Sequence, residues 1–259
     1  MRGVASILGS FLPFAAALRV AVVGDAGETT PSQIAAFSEI HAMRPDLVLA
    51  LGDNFYERGL EKINPSEETR VWGGLAPFPI LGILGNHDQL GNRKAQTFVP
   101  APFYQRKLTP EIQLIALDTT TLLFSDGIWN PLKLKAEPQW KWLKQVLSNS
   151  TPKWRIVIGH HPIHSATKHC SEKRKEKRQL ETLLENAGVD LYLAGHTHCY
   201  ERCSGNYTQH IVVGSTARLN SVRVECPEEH RCREAIHAHG WLMLTINSTD
   251  IHSEFHYTT

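Results

Sequence analysis

Short apolar runs recur along the chain, and most of them end abruptly in a polar cluster. Runs of this length, rich in Val, Ile and Leu and bounded by Gly or Asp, are typical of buried β-strands. They occupy residues 18–25, 46–53, 77–88, 112–118, 154–161, 189–198 and 209–215. The last two apolar segments, 240–246 and 250–257, are predicted to form a hairpin around the polar turn from Asn247 to Asp250.

Helical patterns follow several of these runs. Apolar stripes with helix-start signals, such as the cap and first-turn pair Thr30 and Pro31, predict helices over 30–44, 138–147 and 171–187. Buried strands that alternate with helices predict an α/β fold. Ligands in such folds bind outside the carboxyl ends of the strands. The polar clusters of this sequence follow the apolar runs at those ends.

Composition changes this picture little. The chain has 259 residues and contains 27 Lys and Arg against 26 Asp and Glu, so no bulk charge recruits nucleic acid. The charged run 172–178 includes two Glu and precedes an apolar stripe, which favours a solvated helix face over a basic binding patch. No apolar run reaches the roughly 18 residues of a membrane span. With no repeat and no long linker, residues 18–259 are predicted to form a single domain.

The N-terminus predicts a secretory signal over residues 1–17. Arg2 precedes an uncharged apolar stretch, and Ala15 and Ala17 offer an A-x-A-like cleavage site. The alternative is a buried first strand or an uncleaved tail. Three N-x-S/T glycosylation motifs, at 149, 206 and 247, agree with a secreted or lysosomal protein.

Five cysteines would favour disulfides in that oxidising compartment. Cys226 and Cys232 flank a turn-like segment and form the most plausible local pair, while the other pairings stay open. No C-x-x-C motif occurs, which argues against a cysteine-type zinc site.

Five polar motifs carry the candidate chemistry. They read GDAG, GDNFY, GNHD, VIGH and GHTH, and they lie at 24–27, 52–56, 85–88, 157–160 and 195–198. Each supplies oxygen or imidazole ligands that suit a hard or borderline metal ion. One such motif alone is more often a turn or a structural His, but five at strand ends predict a metal centre. His196 and His198 are two positions apart, so an extended backbone directs both rings to one side.

A carboxylate has two oxygens and can bridge two cations. Two metals about 3.5–4 Å apart can hold both the attacking and the leaving oxygen of an in-line displacement at phosphorus. The five motifs, in this order, resemble the metallophosphoesterase superfamily. The Tyr of GDNFY, the VIGH motif and GHTH make the chain similar to purple acid phosphatases, above all the small tartrate-resistant type. The resemblance covers about residue 18 to the C-terminal strands, and it implies a four-layer α-β-β-α sandwich of two mixed sheets flanked by helices.

The resemblance also implies a binuclear centre with Fe(III) in one site and Fe(II), Zn(II) or Mn(II) in the other. The matching residues are Asp25, Tyr56 and His198 for the ferric site, Asn86, His160 and His196 for the divalent site, and Asp53 for the bridge. Phenolate and carboxylate oxygens suit the harder trivalent ion. Tyr56 is the most discriminating of the seven, because superfamily members that use two divalent metals lack it.

Two further histidines match catalytic rather than ligand positions. His87 and His169 resemble the family's imidazoles beside the substrate, which bind phosphate or protonate the leaving alkoxide. Asp88 is expected to orient His87. His161 matches no ligand and is predicted to be structural or exposed.

These observations predict a secreted acid phosphatase that hydrolyses phosphomonoesters by in-line attack of a metal-bound hydroxide. Its substrate would be a small molecule or a phosphoprotein, its oligomeric state monomeric and its pH optimum acidic. One alternative is a phosphodiesterase or protein phosphatase with two divalent metals. The other is a catalytically silent secreted protein that keeps the fold to bind a partner.

Overall fold

The computed structural model describes residues 17–124, 133–149, 152–167, 175–219 and 231–258. Apart from Ala17, the predicted signal segment lies outside these ranges, as do His169 and Cys226. The described residues form twelve strands and five α-helices. The strands are β1 (Leu18–Val23), β2 (Leu47–Ala50), β3 (Ile80–Gly82), β4 (Tyr104–Lys107), β5 (Ile112–Leu117), β6 (Trp154–Gly159), β7 (Leu191–Ala194), β8 (Tyr200–Ser204), β9 (Gln209–Val213), β10 (Cys232–Ile236), β11 (Gly240–Ile246) and β12 (Ile251–Tyr257). The helices are α1 (Pro31–Met43), α2 (Pro65–Trp72), α3 (Thr119–Leu123), α4 (Glu137–Ser148) and α5 (Lys175–Asn186).

Two mixed sheets form the centre of the fold. The first has the strand order β12-β11-β1-β2-β3, with β1, β2 and β3 parallel and β11 antiparallel to β1. The second has the order β10-β8-β9-β7-β6-β5-β4, with a parallel core of β5, β6, β7 and β9. The predicted C-terminal hairpin is confirmed, because β11 pairs antiparallel with β12 from Gly240 to Ile246.

Alternation along the strands divides the apolar residues among three layers. Val20 and Val22 of β1 pack between the two sheets with side chains such as Leu114 and Leu193 of the second sheet. Ala21, the neighbour of both β1 valines, faces the opposite way, against helix α1. The outer face of the second sheet is covered in the same way by α4 and α5. The result confirms the predicted four-layer α-β-β-α sandwich.

Helix α1 begins where its cap signal predicts. The Thr30 side chain accepts a hydrogen bond from the Gln33 backbone N–H at 3.2 Å, and Pro31 occupies the first turn. The helix ends at Met43 and is followed by the capping residue Arg44, whose backbone is left-handed with φ 51°. Phe37 and Ile40 are buried, whereas Ile34, the third member of the predicted stripe, is 56% exposed. The apolar stripe is therefore narrower than the pattern indicates.

One disulfide links two of the described cysteines, and these two are not the predicted pair. Cys203 bonds to Cys232, so the pairing of Cys232 with Cys226 is wrong. Cys203 lies in β8 and Cys232 begins β10, and the antiparallel register of these strands sets the two residues opposite each other. Strand pairing thus brings together cysteines that are 29 residues apart, which spacing along the sequence does not reveal.

Candidate metal centre

The side chains predicted to bind metal come from loops at the carboxyl ends of five parallel strands. Asp25 follows β1, Asp53 follows β2 and Asn86 comes after β3, all in the first sheet. His160 follows β6 and His196 follows β7, both in the second sheet. The loops from the two sheets converge, and the seven predicted ligands lie close together.

One half of the cluster is built around the Tyr56 hydroxyl. This hydroxyl lies 2.9 Å from Asp25 Oδ1 and 3.3 Å from His198 Nε2. Asp25 Oδ1 is in turn 3.2 Å from His198 Nε2. A phenol oxygen, a carboxylate oxygen and an imidazole nitrogen therefore meet at one point.

The other half is built around the Asn86 side-chain oxygen. Asn86 Oδ1 lies 3.0 Å from His160 Nε2 and 2.9 Å from His196 Nδ1. Both histidines present a ring nitrogen to the same amide oxygen, so two imidazoles and one neutral oxygen share this position.

Asp53 lies between the two halves and contacts both. Its Oδ2 atom is 3.2 Å from the Tyr56 hydroxyl and 3.3 Å from His160 Nε2. Its Oδ1 atom accepts a hydrogen bond from the His87 backbone N–H at 2.9 Å. One carboxylate oxygen thus faces both sets of donors, as a bridging ligand must.

The backbone is left-handed at four of these residues. The φ angles of Asp25, Asp53, His196 and His198 are 55°, 52°, 74° and 47°. This conformation costs a non-glycine residue about 1–3 kcal/mol, and it persists where surrounding structure over-determines it. Its concentration in one cluster indicates that the loops are shaped to present these side chains.

Two glycines permit the close approach of the loops. A Cβ atom on Gly85 would lie 2.1 Å from Asp53 Oδ1, and one on Gly195 would lie 2.5 Å from Asp25 Oδ2. Both distances are below the 3.0 Å that real Cβ contacts reach. A side chain at either glycine position would therefore collide with these carboxylates, so both positions require glycine.

A surrounding layer of backbone groups fixes the donor atoms. The Leu51 carbonyl lies 2.8 Å from His160 Nδ1, so Nδ1–H donates to it and Nε2 faces the cluster. Asp25 Oδ2 accepts from the His196 backbone N–H at 2.7 Å. The predicted role of Asp88 needs correction, because its buried carboxylate accepts from the backbone N–H groups of Gly85, Asn54 and Phe55 and from Gln96. Asp88 therefore ties the loops after β2 and β3 together.

His87 lies at the edge of the cluster, where its ring is 21% exposed. Its Nδ1 atom is 2.7 Å from the Glu57 backbone carbonyl, and its Nε2 atom is 4.0 Å from Asp53 Oδ2. The Nδ1–H therefore donates to Glu57, which directs Nε2 toward the centre. The Glu57 carbonyl therefore helps to orient this ring.

Burial and mutual charge strongly perturb the pKa values of the cluster. Burial lowers the pKa of His160, but the carboxylates of Asp53 and Asp25, together with the Leu51 carbonyl, outweigh burial and raise that pKa to about 9. Burial raises the pKa of Asp53, yet His160 and other nearby imidazoles hold it well below its usual value. Burial, followed by Asp25 and Asp53, raises the pKa of Tyr56 well above its usual range.

The donor chemistry fits metal ions. Buried carboxylate, phenol, amide and imidazole groups face one another, and the protons on Tyr56 and His160 occupy positions that cations can take. Potential ligand atoms lie within 4.8 Å of one another in the group Asp25, Asp53 and His160. They do so again in the group His160, His161 and His196.

Two further residues lie beside this cluster, although the sequence analysis assigned His161 no role in the site and did not single out Arg218. The His161 ring centroid is 4.4 Å from that of His196, and its Nδ1 lies 3.0 Å from Thr119 Oγ1. Its adjacency to His160 is the signal that could have found it. The Arg218 guanidinium lies over the Tyr56 ring, 3.7 Å from the ring centre. No motif marks Arg218.

Comparisons with known proteins identify the family of the chain. The family model for calcineurin-like phosphoesterases matches residues 18–200. Tartrate-resistant acid phosphatase type 5 of Homo sapiens is 32% identical over 219 residues, which are 70% of this chain and 67% of that protein. Purple acid phosphatase 3 of Arabidopsis thaliana is 32% identical over 184 residues, 61% of this chain and 50% of that protein. The chain thus spans half to two thirds of the length of these relatives.

Solved structures share the fold. GAP50 of Plasmodium, the anchor in the inner membrane complex, superposes with a TM-score of 0.77 at 22% identity and covers 93% of this chain and 85% of its own. The purple acid phosphatase PPD1 of yellow lupin has a TM-score of 0.71 at 17% identity, over 93% of this chain and 51% of its own.

Proposed function

Because the chain belongs to the calcineurin-like metallophosphoesterase family, we propose that it is a secreted acid phosphatase. It hydrolyses phosphomonoesters at a binuclear metal centre. Relatives that match 70% and 61% of its sequence carry the names of a tartrate-resistant and a purple acid phosphatase. The observation that carries the proposal is the position of Asp53, whose Oδ2 faces both donor sets.

The two donor sets differ in chemistry, which supports two different ions. Asp25, Tyr56 and His198 would hold Fe(III), since phenolate and carboxylate favour a hard trivalent ion. Asn86, His160 and His196 would hold Fe(II), Zn(II) or Mn(II), and Asp53 would bridge both sites. Bound there, the two metals supply Lewis-acid polarisation of the phosphate oxygens and activation of water.

The protein's own residues perform the rest of the chemistry. Glu57 holds the His87 ring so that Nε2 faces the centre, where an imidazolium offers a hydrogen bond to phosphate or a proton to the leaving alkoxide. The buried walls around Asp53 and His160 exclude water and strengthen these interactions. A catalytic role for His169, which lies outside the described residues, stays a prediction.

Several features support the secretory pathway as its location. The disulfide between Cys203 and Cys232 suits an oxidising compartment. The asparagines of the three glycosylation motifs, Asn149, Asn206 and Asn247, are all exposed. Among the described residues, no helix is long and apolar enough to cross a membrane. We further propose that the protein is a monomer, that residues 1–17 form a signal segment and that residues 18–259 form one domain.

A visible absorption spectrum of the purified, iron-loaded protein tests the metal assignment. We expect a violet-to-purple band from Tyr56 on Fe(III), together with hydrolysis of 4-nitrophenyl phosphate that is fastest at acidic pH. Tyr56→Phe should abolish the band. Tyr207→Phe is the matched control, because its hydroxyl is also bonded to a carboxylate, 3.0 Å from Asp190, but lies on the exposed surface.

Other results would redirect the proposal. A colourless protein with two divalent ions and activity on bis(4-nitrophenyl) phosphate would favour the diesterase alternative. A His196→Ala protein with full activity would refute catalysis at this centre. No metal binding and no hydrolysis of either ester would favour the catalytically silent protein.

A further inference from the structure

Arg218 joins three loops at the rim of the metal centre. It lies in the segment after β9, and its Nε donates to Glu28 Oε2 in the loop after β1 at 2.7 Å. Its Nη2 donates to Glu57 Oε1 in the loop after β2. Its guanidinium carbon is 3.7 Å from the centre of the Tyr56 ring, in a cation–π contact. One side chain therefore contacts an expected iron ligand and both neighbouring loops.

Glu57 extends this contact to His87. The Glu57 carbonyl accepts from His87 Nδ1 at 2.7 Å, and its carboxylate Oε2 lies 3.7 Å from the same nitrogen. The His87 ring also packs edge-on against Tyr56, with 4.9 Å between ring centroids. Tyr56 is thus an expected iron ligand, and its neighbour Glu57 holds His87, the expected proton donor. Arg218 contacts both Tyr56 and Glu57.

The backbone that precedes Arg218 is hydrogen-bonded to the loop after β1, which carries Asp25. The Thr216 N–H donates to the Gly24 carbonyl at 3.4 Å, beside Asp25, and the Ala217 carbonyl accepts from Thr30 Oγ1 at 3.4 Å. The backbone at Arg218 is therefore fixed relative to the loop that carries Asp25, while the Arg218 guanidinium contacts Tyr56 and Glu57.

A contribution to global stability does not explain this arrangement. The carboxyl side chains of Glu28 and Glu57 are 46% and 64% exposed, and ion pairs with such partners contribute little to stability. What the contacts fix is the relative position of the loops beside the cluster. The long planar guanidinium can hold two carboxylates and stack on a ring at once, which a Lys ammonium cannot.

We propose that Arg218 is a positioning residue for the phosphatase reaction, which orients Tyr56 as an iron ligand and, through Glu57, orients His87. This inference rests on the proposed function. The positive charge over the Tyr56 ring also stabilises electron density on that ring. Loss of the charge should therefore lower the energy of the Tyr-to-iron charge-transfer transition.

The test compares iron-loaded wild-type protein with Arg218→Ala, Arg218→Lys and Arg70→Ala. Arg70 is the matched control, since it also makes a two-point contact with a glutamate, Glu67, but on the exposed surface of α2. For Arg218→Ala we expect the visible band to shift to longer wavelength and kcat for 4-nitrophenyl phosphate to fall about 10- to 100-fold, with a much smaller change in KM. Arg218→Lys should restore the band more than it restores kcat, because it returns the charge without the two-carboxylate contact.

Glu57→Gln provides a second variant if Arg218→Ala does not fold. It keeps the carbonyl that accepts from His87 but removes the ion pair with Arg218. We expect kcat to fall in the same direction and by less. Arg70→Ala should match wild type in band position and kcat.

Two results would overturn the inference while leaving the proposed function intact. One is a wild-type protein with the band and activity whose Arg218→Ala and Glu57→Gln variants are indistinguishable from it. The other is a change in KM alone, which would make Arg218 a substrate contact. A wild-type protein with neither band nor phosphatase activity would refute the proposed function, and this inference would fall with it.

Discussion

Replacement of Gly85 by Ala should damage the metal centre far more than the fold. A Cβ atom at this position would lie 2.1 Å from Asp53 Oδ1 and 2.3 Å from the Asp53 backbone nitrogen. The first distance is about 0.9 Å shorter than the closest contact that real Cβ atoms make. Because one contact is with backbone, rotation of the Asp53 side chain cannot relieve the clash. The backbone of the loop after β2 must therefore move by about 0.7 Å relative to Gly85 to bring the 2.3 Å contact to 3.0 Å.

The size of the effect follows from this displacement. Overpacking of a close-packed site costs about 1–3 kcal/mol of stability. A misplacement of about 1 Å at a reacting centre reduces the rate about 100-fold. Asp53 contacts both donor sets, so its displacement should weaken both metal sites. We expect Gly85→Ala to unfold at lower denaturant concentration, to retain fewer metal ions after dialysis, and to lose about two orders of magnitude in kcat.

Three measurements separate these effects: denaturant unfolding of the metal-free protein, metal content by mass spectrometry, and hydrolysis of 4-nitrophenyl phosphate. Gly73→Ala is the control, because among the described residues its Cβ would closely approach the Thr69 methyl group alone, at 3.3 Å. It should change none of the three by much. If Gly85→Ala bound two metal ions with wild-type affinity and turned over normally, the argument that glycine creates the space for Asp53 would be wrong.

Two further predictions concern stability. The pKa of His160 in the folded protein is about 9, above its ordinary value of 6.5. In the metal-free protein, the protonated His160 therefore stabilises the fold fully below about pH 6.5, and this stabilisation is lost as the pH rises through about 9. Urea unfolding across that range should show this loss, and a metal-free protein whose stability rises from pH 6.5 to 9 would contradict it. Replacement of both Cys203 and Cys232 by Ala should cost about 3–4 kcal/mol for a loop of this length. Non-reducing peptide mapping should recover the two cysteines cross-linked, and a Cys226 to Cys232 cross-link would contradict the structure.

Most of the buried strands were predicted well. β1, β2, β5, β6 and β7 are almost wholly buried, and each consists mainly of apolar residues, interrupted by at most one polar side chain. Three other strands lack this signal and were missed. β4 reads YQRK and β10 reads CREAI, and these strands at the two edges of the second sheet are mostly exposed or half-buried. β8 is mostly buried, but its sequence YERCS contains no apolar run. The missed disulfide follows from the missed strands, since the pairing of β8 with β10 aligns its cysteines.

Helix α2 shows a different failure, because its signals were present. Asn64 accepts from the Glu67 N–H at 3.3 Å, Pro65 occupies the first turn, and acidic residues follow. The helix has only eight residues, and just two of them are buried. The helix was therefore not predicted, because it lacks a long apolar stripe. Its cap residues alone mark where the helix begins.

The sequence singles out the seven proposed ligands because their side-chain types carry the chemistry, whereas the residues that orient them have no such signal in the sequence. Any residue supplies a backbone carbonyl, so nothing in the letter Leu51 or Glu57 announces a contact with His160 or His87. Arg218 is one of many arginines until the fold sets it over Tyr56. Residue type therefore predicts the donor set, and only topology predicts what orients it.

Topology also decides what metal binding does to the fold. Asp25 and Tyr56 come from loops of the first sheet, but His198, which completes their set, comes from the second. The other set is divided in the same way, with Asn86 from the first sheet and both of its histidines from the second. Each ion in the proposed centre would therefore join the two sheets at one edge of the sandwich. Binding energy at the centre then adds directly to the stability of the packing between the sheets, because neither set of ligands exists unless the sheets are docked.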